Sequence, residues 1–288
     1  MPIHPFRRPR AIASLLGAAL FTLALPDGAH AQSSEDRFAS LVAAEQAFAD
    51  DALRVGVTPA FRAHAASDSV LLAPEPVSAP EYLAGQNDAP GLTLEWRPSM
   101  AGVASSGDLG FTSGPYRMVQ GDKIRTGQFL TIWSRGADGR WRWFLDHGLP
   151  PQAATATSLV APAAVTRFAF AGPSESKSVA GHGLEAAEQK LNAGYLDSGL
   201  AALLPMLAAD GYLLRPGRDA IAKVAALDLA PETRRFVRDE RLGMRISASG
   251  DLAASYGRLI PGAGTPAYYV RVWRRNGGTW ELLIDELV

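Results

Sequence analysis

His147 is the residue whose chemistry stands out. An imidazole titrates near neutral pH, so beside a bound molecule it can serve as a general base. It closes the run D-G-R-W-R-W-F-L-D-H-G at 138–148. Read with a strand's period of two, Trp141, Trp143, Leu145 and His147 share one face. Two tryptophans make that face the buried one, so His147 is expected to point inward and Asp146 outward, unless a bulge intervenes. The alternative is an imidazole that satisfies a neighbouring backbone group. A second carboxylate, Asp68, sits in D-x-x-L-L-x-P, a setting that also suits a turn residue capping a backbone amide. Trp96, Tyr116, Gln128 and Arg125 lie on neighbouring strand-like segments. Their polar tips can hydrogen-bond a ligand or tie the core together.

Other chemistries leave no trace. The chain has no cysteine, which removes disulfides, thiolate metal sites and a cysteine nucleophile together. Its five histidines have no metal-ligand spacing. There is no G-x-S-x-G elbow, phosphate loop or dinucleotide fingerprint, and no metal or other cofactor is expected. A formal net charge of −1 gives no basic surface for nucleic acid by total count. Arg234, Arg235, Arg238, Arg241 and Arg245, with Asp239 and Glu240, form a basic stretch that reads as a solvated strand face rather than an anionic-ligand or membrane-surface patch.

The elements that must position these residues follow from local pattern. Trp96 to Gly148 reads as an antiparallel meander of four strands separated by Gly/Asp/Ser turns. Upstream, Phe38, Leu41, Val42, Glu45, Phe48, Ala49 and Leu53 have helical spacing that stops at Gly56. A short helix around 59–66, a strand at 70–73 and a helical segment at 79–86 follow. The whole pattern then recurs. Leu41-x-Ala-Ala-Glu-Gln returns at Leu184, and Ser106-Gly-Asp-Leu returns at Ser249, both at an offset of 143 residues. Trp133, Trp141 and Asp146 answer to Trp273, Trp280 and Asp285 at nearly the same offset. Ordered matches at one spacing point to tandem duplication. The expected organisation is one domain at 38–148, a Pro/Ala/Ser-rich linker at 149–182 with a short strand near 165–170, and a second domain at 183–288. Residues 1–31 have the secretory pattern: Arg7, Arg8 and Arg10, an apolar run from Ala11 to Leu25, and Ala29-His30-Ala31 before the cut. The protein is expected to be periplasmic or secreted, without stable membrane insertion after cleavage.

Helices followed by a meander give an α+β fold class, with helices covering one face of each sheet. On W-R-P, S-G-D-L-G-F-T-S-G-P-Y, G-Q-F-L-T-I-W and D-G-R-W-R-W-F-L-D-H-G the chain resembles the SnoaL-like, domain-of-unknown-function branch of the nuclear transport factor 2-like superfamily. The resemblance implies two tandem cones, each a curved antiparallel sheet covered by about three helices and enclosing a pocket. It also places a possible base at Asp68. The leading expectation is an exported protein that binds a small apolar molecule or a partner. One alternative is a cofactor-free lyase or isomerase with His147 or Asp68 as base and Tyr116 or Trp96 as oxyanion donor. The other is a structural module whose sheets pack within the chain or as a homodimer. The first copy is expected to keep the larger, polar-lined cavity, with the second mainly a packing partner.

Overall fold

The computed structural model describes residues 1, 33–149, 152, 153, 159, 162–172, 177–229 and 234–288. The signal-peptide expectation, residues 1–31, lies outside the described residues apart from Met1. Helix α1 (Ser34–Val55) begins at a capping box in which Ser33 and Asp36 satisfy each other's backbone amides, and it ends at Gly56. Its buried positions Leu41, Glu45, Phe48, Ala49 and Ala52 fall on one stripe at helical spacing. Next come α2 (Val57–His64), β1 (Ala65–Leu72), β2 (Pro76–Ser78) and α3 (Ala79–Ala84). The meander comprises β3 (Leu92–Trp96), β4 (Met100–Val103), β5 (Leu109–Gln120), β6 (Lys123–Arg135) and β7 (Trp141–Gly148). Arg97–Ser99 splits what reads as one strand into β3 and β4, both of which pair with β5.

Two short strands, β8 (Gln152–Ala153) and β9 (Thr166–Phe168), lead to the second half. There α4 (Lys177–Ser198), α5 (Leu200–Leu203), β10 (Leu207–Leu214), β11 (Ile221–Ala222) and α6 (Lys223–Ala226) precede β12 (Phe236–Ile246), β13 (Leu252–Pro261), β14 (Ala267–Asn276) and β15 (Thr279–Leu287). Both α5 and α6 are shorter than α2 and α3, the elements they correspond to in the first half. Chain past Leu203 is taken into β10, whose Leu207 pairs with Leu282, and β11 takes the start of the α6 segment.

The result is α+β: two mixed sheets and, among the described residues, six helices. The first sheet runs β2-β1-β7-β6-β5-β4-β9 and the second β11-β10-β15-β14-β13-β12. In each the first long strand joins the last in parallel, β1 to β7 and β10 to β15, while the meander is antiparallel. Recurring motifs fall on matching elements: Ser106-Gly-Asp and Ser249-Gly-Asp are turns before β5 and β13, and Trp133 and Trp273 lie on β6 and β14.

Residues Ser33–Val288 form one unit with three cores. Between α1 and the first sheet lie Leu41, Phe48, Trp96, Trp133 and Trp143. Between α4 and the second sheet lie Leu184, Leu191, Tyr269, Trp273 and Leu282. The third core lies between the sheets and joins Leu109, Phe111, Leu130, Ile132 and Leu145 to Leu252, Val270, Val272 and Ile284. Burial on both faces explains why strands such as G-Q-F-L-T-I-W read as near-continuous apolar runs.

At the edge of this contact the two Ser-Gly-Asp turns clasp each other reciprocally. Ser106 N–H donates to Ser249 Oγ and Ser249 N–H to Ser106 Oγ, both at 3.2 Å. Ser105 N–H reaches Asp251 Oδ2 at 3.1 Å, and Ala248 N–H reaches Asp108 Oδ2 at 3.0 Å. Corresponding residues meeting corresponding residues is the pattern of a two-fold, self-complementary contact.

Candidate functional site

A β-bulge decides what the site contains. On β7, Trp143 pairs with Trp133 and Leu145 with Ile132, so Phe144 is an extra residue with no partner of its own. A bulge reverses the alternation beyond it. Trp141 and Trp143 therefore face α1 together with Asp146 and Gly148, whereas Leu145 and His147 face the other sheet. The same irregularity occurs on β15, where Trp273 pairs with Leu282 and Val272 with Ile284.

On the α1 side the bulge places Asp146 in the wall of a cavity of about 210 Å³. Phe61 of α2 closes one side, Leu94 and Trp96 of β3 and Met118 of β5 another. Tyr116, Phe129 and Gly148 complete the lining, which is almost wholly apolar. Tyr116 can lie flat there because Gly127 has no side chain; a Cβ at that position would stand 2.6 Å from the tyrosine ring.

The polar groups around the cavity are largely committed. Glu45, fully buried on α1, accepts hydrogen bonds from Trp96 Nε1 at 2.5 Å, from Trp133 Nε1 at 3.0 Å and from Thr112 Oγ1. Burial raises its pKa, against the opposing pull of those three donors. Tyr116 donates its hydroxyl to the Leu149 carbonyl at 2.5 Å, and burial pushes its pKa up to about 12.

Asp146 is the exception. Its Oδ2 accepts from Thr131 Oγ1 at 2.7 Å, and Oδ1 has no hydrogen-bond partner among the described residues. The side chain is 8 % exposed. Burial pushes its pKa up to about 7, and the Glu45 carboxyl adds to that, while Thr131 and His147 pull the other way. The cavity thus presents apolar walls and one carboxyl group with an oxygen to spare.

The second half fills the corresponding space with its own side chains. Arg271, on β14 at the position matching Thr131, is 1 % exposed. Its Nε donates to Asp285 Oδ1 at 2.9 Å, its Nη1 to Asn192 Oδ1 at 2.5 Å, and its guanidinium lies 4.0 Å over the Tyr269 ring. Arg215 Nη2 reaches Asp285 Oδ2 at 2.8 Å.

Of the residues singled out in the sequence, Trp96 and Tyr116 line the cavity, with both of their donors already used. His147 does not; the bulge turns it to the inter-sheet side. It is buried there, and its Nδ1 is hydrogen-bonded to Glu286, the residue at the matching position of β15. Burial disfavours a charged imidazole, but the Glu286 carboxylate and its hydrogen bond outweigh this, so the His147 pKa is raised. Gln128 also faces the second sheet, with its Oε1 buried and unpartnered. Asp68 is on the outer surface, where Arg245 Nη2 binds it at 2.5 Å while stacking 3.7 Å over Phe144. Arg125 is exposed on β6. Asp146, Phe61, Leu94, Met118 and Phe129 were not picked out by sequence. The adjacent apolar pair Phe144-Leu145, breaking the W-R-W alternation, is the signal that would have turned attention to Asp146.

No protein-family model matches the chain, and no curated protein matches it. The solved structures it resembles include nuclear transport factor 2-like and ketosteroid isomerase-like proteins. A nuclear transport factor 2-like protein of unknown function from Shewanella oneidensis is 17% identical over 38% of this chain and 96% of its own, with a TM-score of 0.32. Another from Pseudomonas putida is 17% identical over 39% of this chain and 88% of its own, with a TM-score of 0.31. A ketosteroid isomerase-like protein from Erwinia carotovora atroseptica is 23% identical over 37% and 92%, with a TM-score of 0.30.

Proposed function

We propose that this chain is an exported tandem pair of nuclear transport factor 2-like cone domains, 38–148 and 183–288, whose first cone binds a small, mostly apolar molecule. The observation that carries this reading is the cavity of about 210 Å³ with apolar walls and the partly committed Asp146 carboxyl. A concave apolar site with few polar groups is the usual form of a small-molecule site. The second cone, occupied by Arg271, is the packing partner. Supporting the tandem reading are the shared strand order, the repeated bulge and the reciprocal Ser-Gly-Asp turns. Calorimetric titration of the full chain with indole tests the binding reading. Binding is expected, and Gly148→Leu, which puts a side chain into the cavity, is expected to abolish it. Binding unchanged in that variant would place the site elsewhere. Export by residues 1–31 is tested by sequencing the N-terminus of the protein recovered from the periplasm, with Gln32 expected first.

A second reading is cofactor-free proton transfer, favoured by an Asp146 pKa of about 7, near the optimum for a general base. Against it stands the commitment of Trp96 to Glu45 and Tyr116 to Leu149, which leaves neither of them to donate to a developing oxyanion.

A further inference from the structure

The second half carries within it a description of what the first cone holds. Phe129, Thr131, Trp133 and Asp146 correspond to Tyr269, Arg271, Trp273 and Asp285 on matching strands with matching bulges. In the second cone the aspartate Oδ1 takes an N–H from a guanidinium centred 4.0 Å over the Tyr269 ring of β14. In the first cone the aspartate and the ring are both present and both line open space, while the guanidinium is missing because Thr131 ends at Asp146 Oδ2.

The geometry points to an organic cation as the ligand of the first cone: an amine or amidine on an apolar body, donating to Asp146 Oδ1 and lying over Phe129. This rests on the cavity reading above and adds the chemical class. Three physical arguments support it. An ionised carboxylate in apolar surroundings is costly unless paired. Among the described residues, no guanidinium or ammonium group hydrogen-bonds Asp146: Glu45 from α1 is acidic, Tyr116 from β5 and Thr131 from β6 are neutral, and the His147 imidazole, which favours the ionised Asp146 from a distance, is hydrogen-bonded to Glu286 on the other side of the sheet. A cation over an aromatic face with a carboxylate behind it also satisfies both attractions at once, as Arg271 does.

The full chain is titrated with benzamidine, with its neutral isostere benzamide, and with indole. At pH 8, benzamidine is expected to bind at least about tenfold more tightly than benzamide. That preference should vanish in Asp146→Asn and should fall in the wild-type protein as pH drops below about 7, where Asp146 takes up its proton. Thr131→Arg, which copies the second cone, should abolish binding of both amide and amidine. If benzamide or indole binds and benzamidine gains nothing from its charge, the cation assignment is overturned and the cavity reading stands. If none of the three binds, the cavity reading fails and the assignment with it. Should Asp146→Asn fail to fold, the wild-type pH profile decides by itself.

Discussion

Asp146 keeps a carboxyl group among Phe61, Phe129 and Trp96 with one hydrogen bond to hold it. Its pKa of about 7 stands above the ordinary value near 3.9, so the folded protein holds the proton that the unfolded chain releases between about pH 4 and pH 7. The contribution to stability is therefore full below pH 4 and is lost as pH rises through 7. Replacing Asp146 by asparagine removes the charge and keeps the shape. We expect the variant to match the wild type within about 1 kcal/mol at pH 5, and to be more stable by roughly 2–4 kcal/mol at pH 8. Urea unfolding at the two pH values measures this. Glu45 shows the opposite economy, a buried carboxyl with its hydrogen-bonding capacity used. Glu45→Ala leaves the Trp96 indole N–H and the Thr112 hydroxyl without their acceptor and the Trp133 N–H with Thr112 alone, and should cost roughly 3–5 kcal/mol by the same measurement.

At the level of elements, α2 depends on a residue distant in sequence. The backbone amides of Val57 and Thr58 both donate to Asp88 at 2.7 Å, so the first turn of α2 is capped from the loop before β3. Asp88→Ala should destabilise the protein by about 1 kcal/mol, near the value for a lost cap. Because α2 carries Phe61, the same variant should weaken indole binding in calorimetry. The elements themselves were largely legible in the sequence. The stripe Leu41-Glu45-Phe48-Ala49 and the stop at Gly56 define α1, and the turns S-S-G-D and R-G-A-D-G bound the strands of the meander. The site was not legible in the same way. It depends on which side of β7 each residue takes, and one extra residue at Phe144 reverses that from Leu145 onward. Alternation read straight through from Trp141 put His147 where Asp146 stands. Periodicity is a property of each strand alone, whereas a bulge is set by the partner strand.

Across the whole molecule, the inter-sheet core makes the two halves structurally dependent. Leu109, Phe111 and Ile132 are covered by Val270, Val272 and Ile284, and the His147–Glu286 pair lies buried in the same layer. Removing one member of a buried pair is costly: His147→Gln should lose roughly 3–5 kcal/mol, because the buried Glu286 carboxyl then lacks its ionic partner and its Oε2 already has no hydrogen-bond partner. Adding Glu286→Gln should recover much of that loss, and a double-mutant cycle by urea unfolding gives the coupling. The sign in pH follows from the raised His147 pKa. The pair's contribution is full below the unfolded imidazole value, near 6.5, and declines as pH rises through the higher folded value.

The place where His147 meets Glu286 has a further meaning. These residues occupy matching positions on β7 and β15, as Leu130↔His147 and Val270↔Glu286 show. In an assembly of two identical chains, a residue on the symmetry axis faces only itself, so histidine would confront histidine or glutamate would confront glutamate. Carrying both halves in one polypeptide lifts that restriction. The two sides of the seam can differ: an acid answers a base across it, and Arg271 is buried in the second half at the position where the first half carries Thr131 beside its cavity. Covalent linkage holds two unlike halves together in a ratio that no change in concentration can alter.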